Sequence, residues 1–482
     1  MKNKYPQKIG HWISDKEVIP PGKYFEKDNP ADGKFIAKIA RGERKDIRRA
    51  IHAAEAAQKS WAALPVIKRA DFIREVVFKL LERKRELAEI VSLELGKSLK
   101  NSLAEIDAAV ECGFFFAGEG RRFYGEVLPS ANEYRRVELV RVPVGAGVIV
   151  TSFNNPATGI AWKAFPALLC GNATILKSHE YTPYTGIAMA KIFKEAGLPT
   201  GLFSVLQGFG PEVVLPLVSD PGIKFVSLTG SVSAAREIIR ASAKNLTKVS
   251  IESGGKNPLI VCDDADLERA ANAALASAFI DAGQRCAAAS RIIVFEKVYE
   301  KFKKIFLAKV NNLKIGKGDT DDYGAIISKK RFDEILKDIE NAKISGKLLS
   351  GGNRIGKKGY FIAPTVFEEI NPRSKLSKKE IFGPVTFLYR ARDLKGAVSI
   401  ANNSDYKLAG SIHTSSLNRA NEFIRNYEAG VVRVNGPTHG SEPHMPFGGV
   451  GLSGNGWREP GSKALEFYSE WKQISIDYDL GI

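Results

Sequence analysis

Sulfur and imidazole are scarce in this chain: 4 cysteines, 3 methionines and 6 histidines in 482 residues. Cys112, Cys170, Cys262 and Cys286 form no CxxC pair and have no histidine beside them, which argues against a disulfide framework and a zinc site; no metal is expected. No stretch approaches the roughly 18 apolar residues that span a bilayer, and residues 1–10 carry no apolar targeting core. A cytoplasmic protein with no membrane partner is therefore expected. No block of five or six like charges appears although the net charge is +17. Without a basic stripe or interleaved aromatic platform, no nucleic acid is expected as partner, and the surplus suits an anionic small molecule such as a dinucleotide or an acidic substrate. Internal repeats, low-complexity tracts and a complete GxGxxG are also absent; Gly145-Ala146-Gly147 and Gly208-Phe209-Gly210 are fragments of one. Abundant Lys, Arg and Ile beside so few Cys and Met give the expectation of a thermostable chain, which an ordinary mesophilic unfolding midpoint would remove.

What is present is a long α/β pattern. Residues 44–120 read as three amphipathic helices, with Phe72, Ile73, Val76, Val77, Leu80 and Leu81 at helical spacing. Strands over 148–151, 174–177, 203–206, 224–228 and 248–251 then alternate with helices over 156–169, 183–196, 212–218 and 234–243. Parallel strands need crossover helices, so this alternation predicts a covered parallel sheet, Rossmann-like, with ligands at its carboxyl edge. A second α/β series follows, with strands over 259–261 and 291–295 and helices over 267–282 and 299–311. Two partly alternating stretches, around Pro129 and at 474–478, read as exposed antiparallel strands; free edges of that kind aggregate unless paired, so they predict a homodimer or homotetramer. The expected domains are a dinucleotide-binding domain (1–120 and 143–252), a catalytic α/β domain (253–455) and a small β oligomerisation arm (121–142 and 468–482).

Three segments carry chemistry. Ala278-Phe279-Ile280-Asp281-Ala282-Gly283-Gln284-Arg285-Cys286 ends a predicted helix in glycine and delivers one cysteine. The other three cysteines have apolar neighbours and read as core, whereas Arg285 and a polar turn beside Cys286 predict a thiol lowered toward the thiolate. Glu252 ends a strand before Gly254-Gly255, where a carboxylate points either into the crevice or, beside Lys256, to solvent. Asn154 stands at another strand's end, where Asn155 before Pro156 is expected to cap the helix and leave Asn154 free to donate a hydrogen bond. The Gly230-Ser231 turn, between a strand and a helix, offers free N–H groups and a helix dipole to a phosphate.

Together these segments resemble the aldehyde dehydrogenase superfamily, non-phosphorylating and NAD(P)-dependent. The likeness spans nearly the whole chain and includes Asn29-Pro30-Ala31-Asp32-Gly33, residues 177–180, Thr229-Gly230-Ser231, Glu380-Ile381-Phe382-Gly383-Pro384-Val385 and Pro446-Phe447-Gly448-Gly449. It implies an oxidoreductase that turns an aldehyde into a carboxylic acid through a thiohemiacetal and a thioester on Cys286, with Glu252 as general base and Asn154 as oxyanion donor. It implies cofactor contacts at Lys177, Glu180, Pro211, Gly230, Ser231, Glu380 and Phe382; Ala235 stands where many relatives have glycine. Glu180 at the adenosine ribose favours NAD over NADP. Asn155, Trp162, Lys163, Arg285, His439 and Glu459 fall at substrate-channel or proton-exit positions, with His439 and His444 in a mouth loop. Polar Asn155 at a position aromatic in many relatives, with Arg285, predicts a small polar or carboxylate-bearing aldehyde. The alternatives are a CoA-acylating or phosphorylating relative, and a non-enzymatic binder; Glu252 argues for water as the resolving nucleophile.

Overall fold

The computed structural model describes residues 5–318 and 320–478, so the outermost residues expected in the cofactor domain (1–4) and in the C-terminal strand (479–482) lie outside the described residues. Two seven-stranded sheets dominate. The first is built from β1 (His11–Ile13), β2 (Lys16–Val18), β3 (Ala146–Val150), β4 (Ala173–Lys177), β5 (Phe203–Leu206), β6 (Phe225–Thr229) and β7 (Lys248–Glu252), in the order β7-β6-β3-β4-β5-β1-β2. Pairing from β7 to β5 is parallel, and the β1–β2 hairpin adds antiparallel at one edge. Every residue of β3, β4 and β5 is buried, as expected where helices cover both faces. The chain runs from β3 outward to β5, returns, and continues on the other side through β6. The switch between β3 and β6 opens a crevice at their carboxyl ends.

The second sheet comprises β8 (Asn257–Val261), β9 (Ala289–Phe295), β10 (Lys347–Ser350), β11 (Thr365–Glu368), β12 (Val385–Ala391), β13 (Ala409–His413) and β14 (Val431–Val434), ordered β10-β11-β12-β9-β8-β13-β14. All of its pairs are parallel except β10–β11. Each sheet has its own apolar core, with Ile175, Leu176 and Phe165 fully buried in the first and Ile292, Ile293 and Phe387 in the second. Burial of each such side chain contributes about 1.5–3 kcal/mol.

Four helices, not three, open the α/β region: Arg44–Ala62, Val66–Glu82, Lys84–Leu95 and Leu99–Glu119. Pro65 separates the first pair, Arg83 leaves helical geometry at ψ 13°, and Gly96 ends the third helix in the left-handed region at φ +66°. The β1–β2 hairpin is unforeseen because its strands, three residues each, are too short for a period. The two stretches expected as exposed strands pair with each other: Arg135–Pro143 meets Ser469–Asp477 in a nine-residue antiparallel register, with Glu126–Leu128 on the other flank. Arg141 lies 4.0 Å above the Trp471 ring, fixing that pairing.

Candidate active site

β7 carries Glu252 to the crevice, and the chain then turns through Gly254-Gly255 into β8. A Cβ on Gly254 would stand 2.0 Å from Glu380 Oε2, and one on Gly255 would stand 2.4 Å from the Cys286 carbonyl oxygen. The two glycines are therefore the space into which the Glu380 and Cys286 segments pack. Asn257, the first residue of β8, clamps the Cys286 peptide: its Nδ2 donates to the carbonyls of Cys286 (2.7 Å) and Ala288 (2.9 Å), while its Oδ1 accepts the Ala409 N–H at 3.0 Å. Sequence reading missed Asn257; an asparagine opening an apolar parallel strand is the signal that could have found it.

The helix expected over 267–282 ends at Phe279 and gives way to a tight turn, Ile280–Gly283, in which Asp281 and Ala282 sit at φ +54° and +56°. Gln284 anchors this turn, accepting the Ile327 N–H at 3.0 Å and donating to the Ala325 carbonyl at 3.2 Å. Cys286 follows, half-buried against a small apolar cluster that includes Trp162 and Phe447. Cys112, Cys170 and Cys262 are core residues.

One expectation is corrected here. Burial pushes the Cys286 thiol up to about 12, Glu380 and Glu252 add to the rise, and the Ala287 N–H and Arg285 only partly oppose it. Arg285 is a weak helper because its Nε is spent on Asp281 at 2.7 Å, four residues earlier. Glu252 is 4 % exposed and its carboxyl is buried, not turned to solvent. Burial, then Glu459, raise its pKa well above the ordinary range, against Lys163, Arg458 and the Gly449 amide. That amide approaches without good hydrogen-bond geometry, and among the described residues neither carboxyl oxygen has another hydrogen-bond partner. The Glu252 backbone carbonyl accepts the Gly230 N–H at 3.0 Å, so Gly230 does not offer the free donor expected of it.

Asn154, at the end of β3, accepts the Ser152 hydroxyl on Oδ1 at 2.5 Å. Its amide NH2 is thereby directed away from Ser152 and makes no hydrogen bond among the described residues. Asn155 occupies the helix N-cap position but makes no side-chain cap; its Oδ1 accepts from Lys97 Nζ at 3.0 Å instead, because a buried ammonium is the stronger partner. Lys163 and Glu459 do not line an open channel. Both are 1 % exposed and pair at 2.6 Å, with Ser227 bridging them at 2.7 and 2.6 Å, behind Glu252. Trp162 packs against Phe447 with tilted rings, centroids 5.7 Å apart. His439 lies by Arg285, and burial, reinforced by that cation, lowers its pKa to about 4. His444 is exposed, 3.9 Å from Glu442.

At the other end of the crevice, Lys177 Nζ meets Glu180 at 2.9 Å at the end of β4. Burial raises the Glu180 pKa, but His179 and Lys177 outweigh it and leave it about 2. Burial also holds His179 itself to about 4, so near neutrality Lys177 is the effective counter-charge. Ser231 caps the helix Val232–Ser242, accepting the Ala234 N–H at 3.2 Å, and its exposed hydroxyl pairs with Ser233 at 2.9 Å. Pro211 starts the helix Gly210–Val218. Phe382, at φ +54°, brings its ring 5.6 Å from Phe153 across the crevice. Glu380 accepts the Gly255 N–H at 2.9 Å, and burial raises its pKa to about 7 against that amide and Lys256. A narrow cleft is lined by Gly255, Arg285, Glu380 and Phe382, among others. An ionised carboxylate, a capped helix start with exposed hydroxyls and an apolar ring pair are groups that could hold a dinucleotide across the crevice. Among the described residues, no group of three or more His, Cys, Asp or Glu could hold a metal, and no helix is long and apolar enough to cross a membrane.

Comparison with known proteins agrees with this geometry. A 2,5-dioxopentanoate dehydrogenase of Saccharolobus solfataricus is 36% identical over 468 residues, covering 96% of this chain and 98% of the relative. Two solved structures superpose with TM-scores of 0.95: an E. coli NADP dependent enzyme (32% identity, 99% of each chain) and betaine aldehyde dehydrogenase from Staphylococcus aureus in complex with NAD+ (30% identity, 98% of this chain and 96% of that one). The aldehyde dehydrogenase family model matches residues 18–474, and the chain belongs to that family.

Proposed function

We propose that this enzyme oxidises a small, carboxylate-bearing aldehyde to the acid by covalent catalysis at Cys286. The observation that carries the reading is the Cys286 peptide held by Asn257 and Gly255 directly beside the end of the strand that bears Glu252. The Cys286 sulfur, once ionised, adds to the aldehyde carbon, and the oxygen becomes an oxyanion. The free Asn154 NH2 and the Cys286 N–H, which no hydrogen bond among the described residues occupies, stabilise it; one such donor supplies roughly 10²- to 10³-fold in rate. A bound NAD(P)+ supplies the hydride acceptor, and oxidation leaves a thioester on Cys286. Glu252, ionised, takes a proton from water, whose hydroxide attacks the thioester and expels the thiolate. The first sheet's unit would carry the cofactor and the second the nucleophile.

For the substrate, Arg285 keeps its terminal nitrogens free of hydrogen bonds among the described residues, beside neutral His439, and both can meet a carboxylate. The name 2,5-dioxopentanoate describes an aldehyde with a 2-oxo carboxylate at its far end, and the relative so named supports this class. An aldehyde panel followed by nicotinamide absorbance tests it. Semialdehydes should exceed straight-chain alkanals in kcat/KM by about tenfold or more, the equivalent of one charge-assisted contact. Alkanals turned over with the higher efficiency sink the assignment.

NAD is proposed as the preferred cofactor, because ionised Glu180 can accept from ribose hydroxyls, repels a 2′-phosphate and leaves Lys177 occupied. Glu180→Gln should raise NADP efficiency relative to NAD by about tenfold, the scale of one lost charge repulsion. A ratio unmoved by the substitution would remove Glu180 from cofactor choice. The exposed Tyr124, Val127, Trp471 and Ile476 on the antiparallel arm support a homodimer or homotetramer, which light scattering reporting a monomer would exclude.

A further inference from the structure

Lys97 lies in the short link between two helices, after the left-handed Gly96 and before Ser98, the cap of Leu99–Glu119. It is 5 % exposed, and its own backbone is fixed, with its carbonyl accepting the Ser92 hydroxyl at 2.7 Å and the neighbouring Gly96 carbonyl accepting the Ala325 N–H at 2.9 Å. The ammonium meets acceptors from three distant stretches. Glu105 Oε2 is 3.1 Å away, Asn155 Oδ1 3.0 Å, the Asn154 carbonyl 3.4 Å, and Asp281 Oδ1 completes an ion pair at 3.3 Å. Glu105 in turn accepts the Ala157 N–H at 2.9 Å, so both ends of the Asn154–Asn155 turn are tied to one cluster.

These ties cross the seam where the two turns face each other. A crevice of about 20 Å³, room for about one water, lies between the two sides, lined by Leu95, Lys97, Phe153, Asn154, Asp281 and Gln284. On its far side the backbone of Asp281 and Ala282 is held in the left-handed region, which costs non-glycine residues about 1–2 kcal/mol each and persists only where surroundings enforce it. At this crevice the Lys97 ammonium contacts both the Asn154–Asn155 turn and Asp281 of the cysteine turn. Charge-assisted contacts to both sides from one buried ammonium can set their spacing.

We propose that Lys97 is a positioning residue that sets the distance between the Asn154 amide and the Cys286 turn, by joining Glu105, the Asn154–Asn155 turn and Asp281 across the seam. This rests on Asn154 being the oxyanion donor. Displacing a reacting group by about 1 Å costs about 10²-fold in rate. The ties of Lys97 are to the oxyanion side and not to Lys177, Glu180 or Ser231, so cofactor affinity should be spared.

The test is a double-mutant cycle on the first turnover, read as the stopped-flow burst of reduced nicotinamide, in the full-length enzyme. Lys97→Met and Lys97→Gln should each slow that step by about 10²-fold, with NAD affinity by titration unchanged. Lys97→Arg, which keeps the charge, should recover part of the rate. Asn154→Ala alone should cost about 10²- to 10³-fold, and Asn154→Ala with Lys97→Gln should be no slower than Asn154→Ala. The inference is overturned if both neutral Lys97 variants keep the wild-type burst, if NAD affinity falls as far as the rate, or if the two losses multiply. An undiminished burst in Asn154→Ala overturns the oxyanion reading and this inference with it; a slowed Asn154→Ala beside normal Lys97 variants overturns this inference alone.

Discussion

Glu252→Gln should convert continuous oxidation into a single burst of reduced nicotinamide followed by a steady rate about 10²- to 10⁴-fold lower, the usual contribution of a general base. The amide has nearly the shape of the acid but cannot accept a proton from water, so addition and hydride transfer proceed and the thioester accumulates. The pH dependence follows from the direction of the Glu252 shift. Burial and Glu459 raise its pKa, so the carboxyl is protonated well above the ordinary range and becomes a base only as pH rises through that raised value. Steady turnover of the wild type should therefore climb with pH and at low pH should itself show a burst, since protonated Glu252 and glutamine are equivalent there. Cys286, held at about 12, must also ionise, so the burst rate rises with pH in both enzymes. Removing the Glu252 charge lowers the thiol pKa, and the variant's burst limb should move to lower pH. A steady rate equal to wild type at alkaline pH would show that some other group activates the water.

The sequence states the sheets clearly and the site only in outline, for a physical reason. Strands buried on both faces must be largely apolar, so β3 to β5 stand out as short hydrophobic runs between helical periods. Because ligands collect at the carboxyl ends of such strands, Glu252 and Asn154 could be marked as candidates from their positions. Partners are another matter. Arg285 adjoins Cys286 in the chain, yet a kink built from left-handed Asp281 and Ala282 turns the guanidinium onto Asp281, and the thiol rises instead of falling. Lys163 and Glu459 are 296 residues apart and nothing local indicates that each neutralises the other in a sealed pocket. Lys97 reads as an ordinary helix-end lysine until Asn155 and Asp281 are brought to it. Periodicity reports which face is buried; it carries no information about which charge meets which.

Gly255→Ala should cost about 10²-fold or more in kcat while leaving the protein folded. The glycine has no positive φ to protect, so strain is not the cause; the new methyl would stand 2.4 Å from the Cys286 carbonyl oxygen and 2.7 and 2.8 Å from the two polar atoms of the Asn257 side chain. Neither neighbour can yield cheaply. The first is backbone, and the second is locked by three hydrogen bonds to Cys286, Ala288 and Ala409. Restoring an ordinary contact moves the Cys286 peptide by about 1 Å, enough to spoil the approach of sulfur to a carbonyl held elsewhere. Gly254→Ala is the informative partner, because its methyl would strike the end of the Glu380 side chain, which can rotate away. Glu380 is proposed to hold the cofactor, so Gly254→Ala should raise the NAD KM with a smaller effect on kcat, whereas Gly255→Ala should lower kcat and the burst rate with NAD KM nearly unchanged. Steady-state and burst kinetics on the pair separate the two effects, and Gly255→Ala turning over at the wild-type rate would mean that the Cys286 peptide is not held against this turn during catalysis.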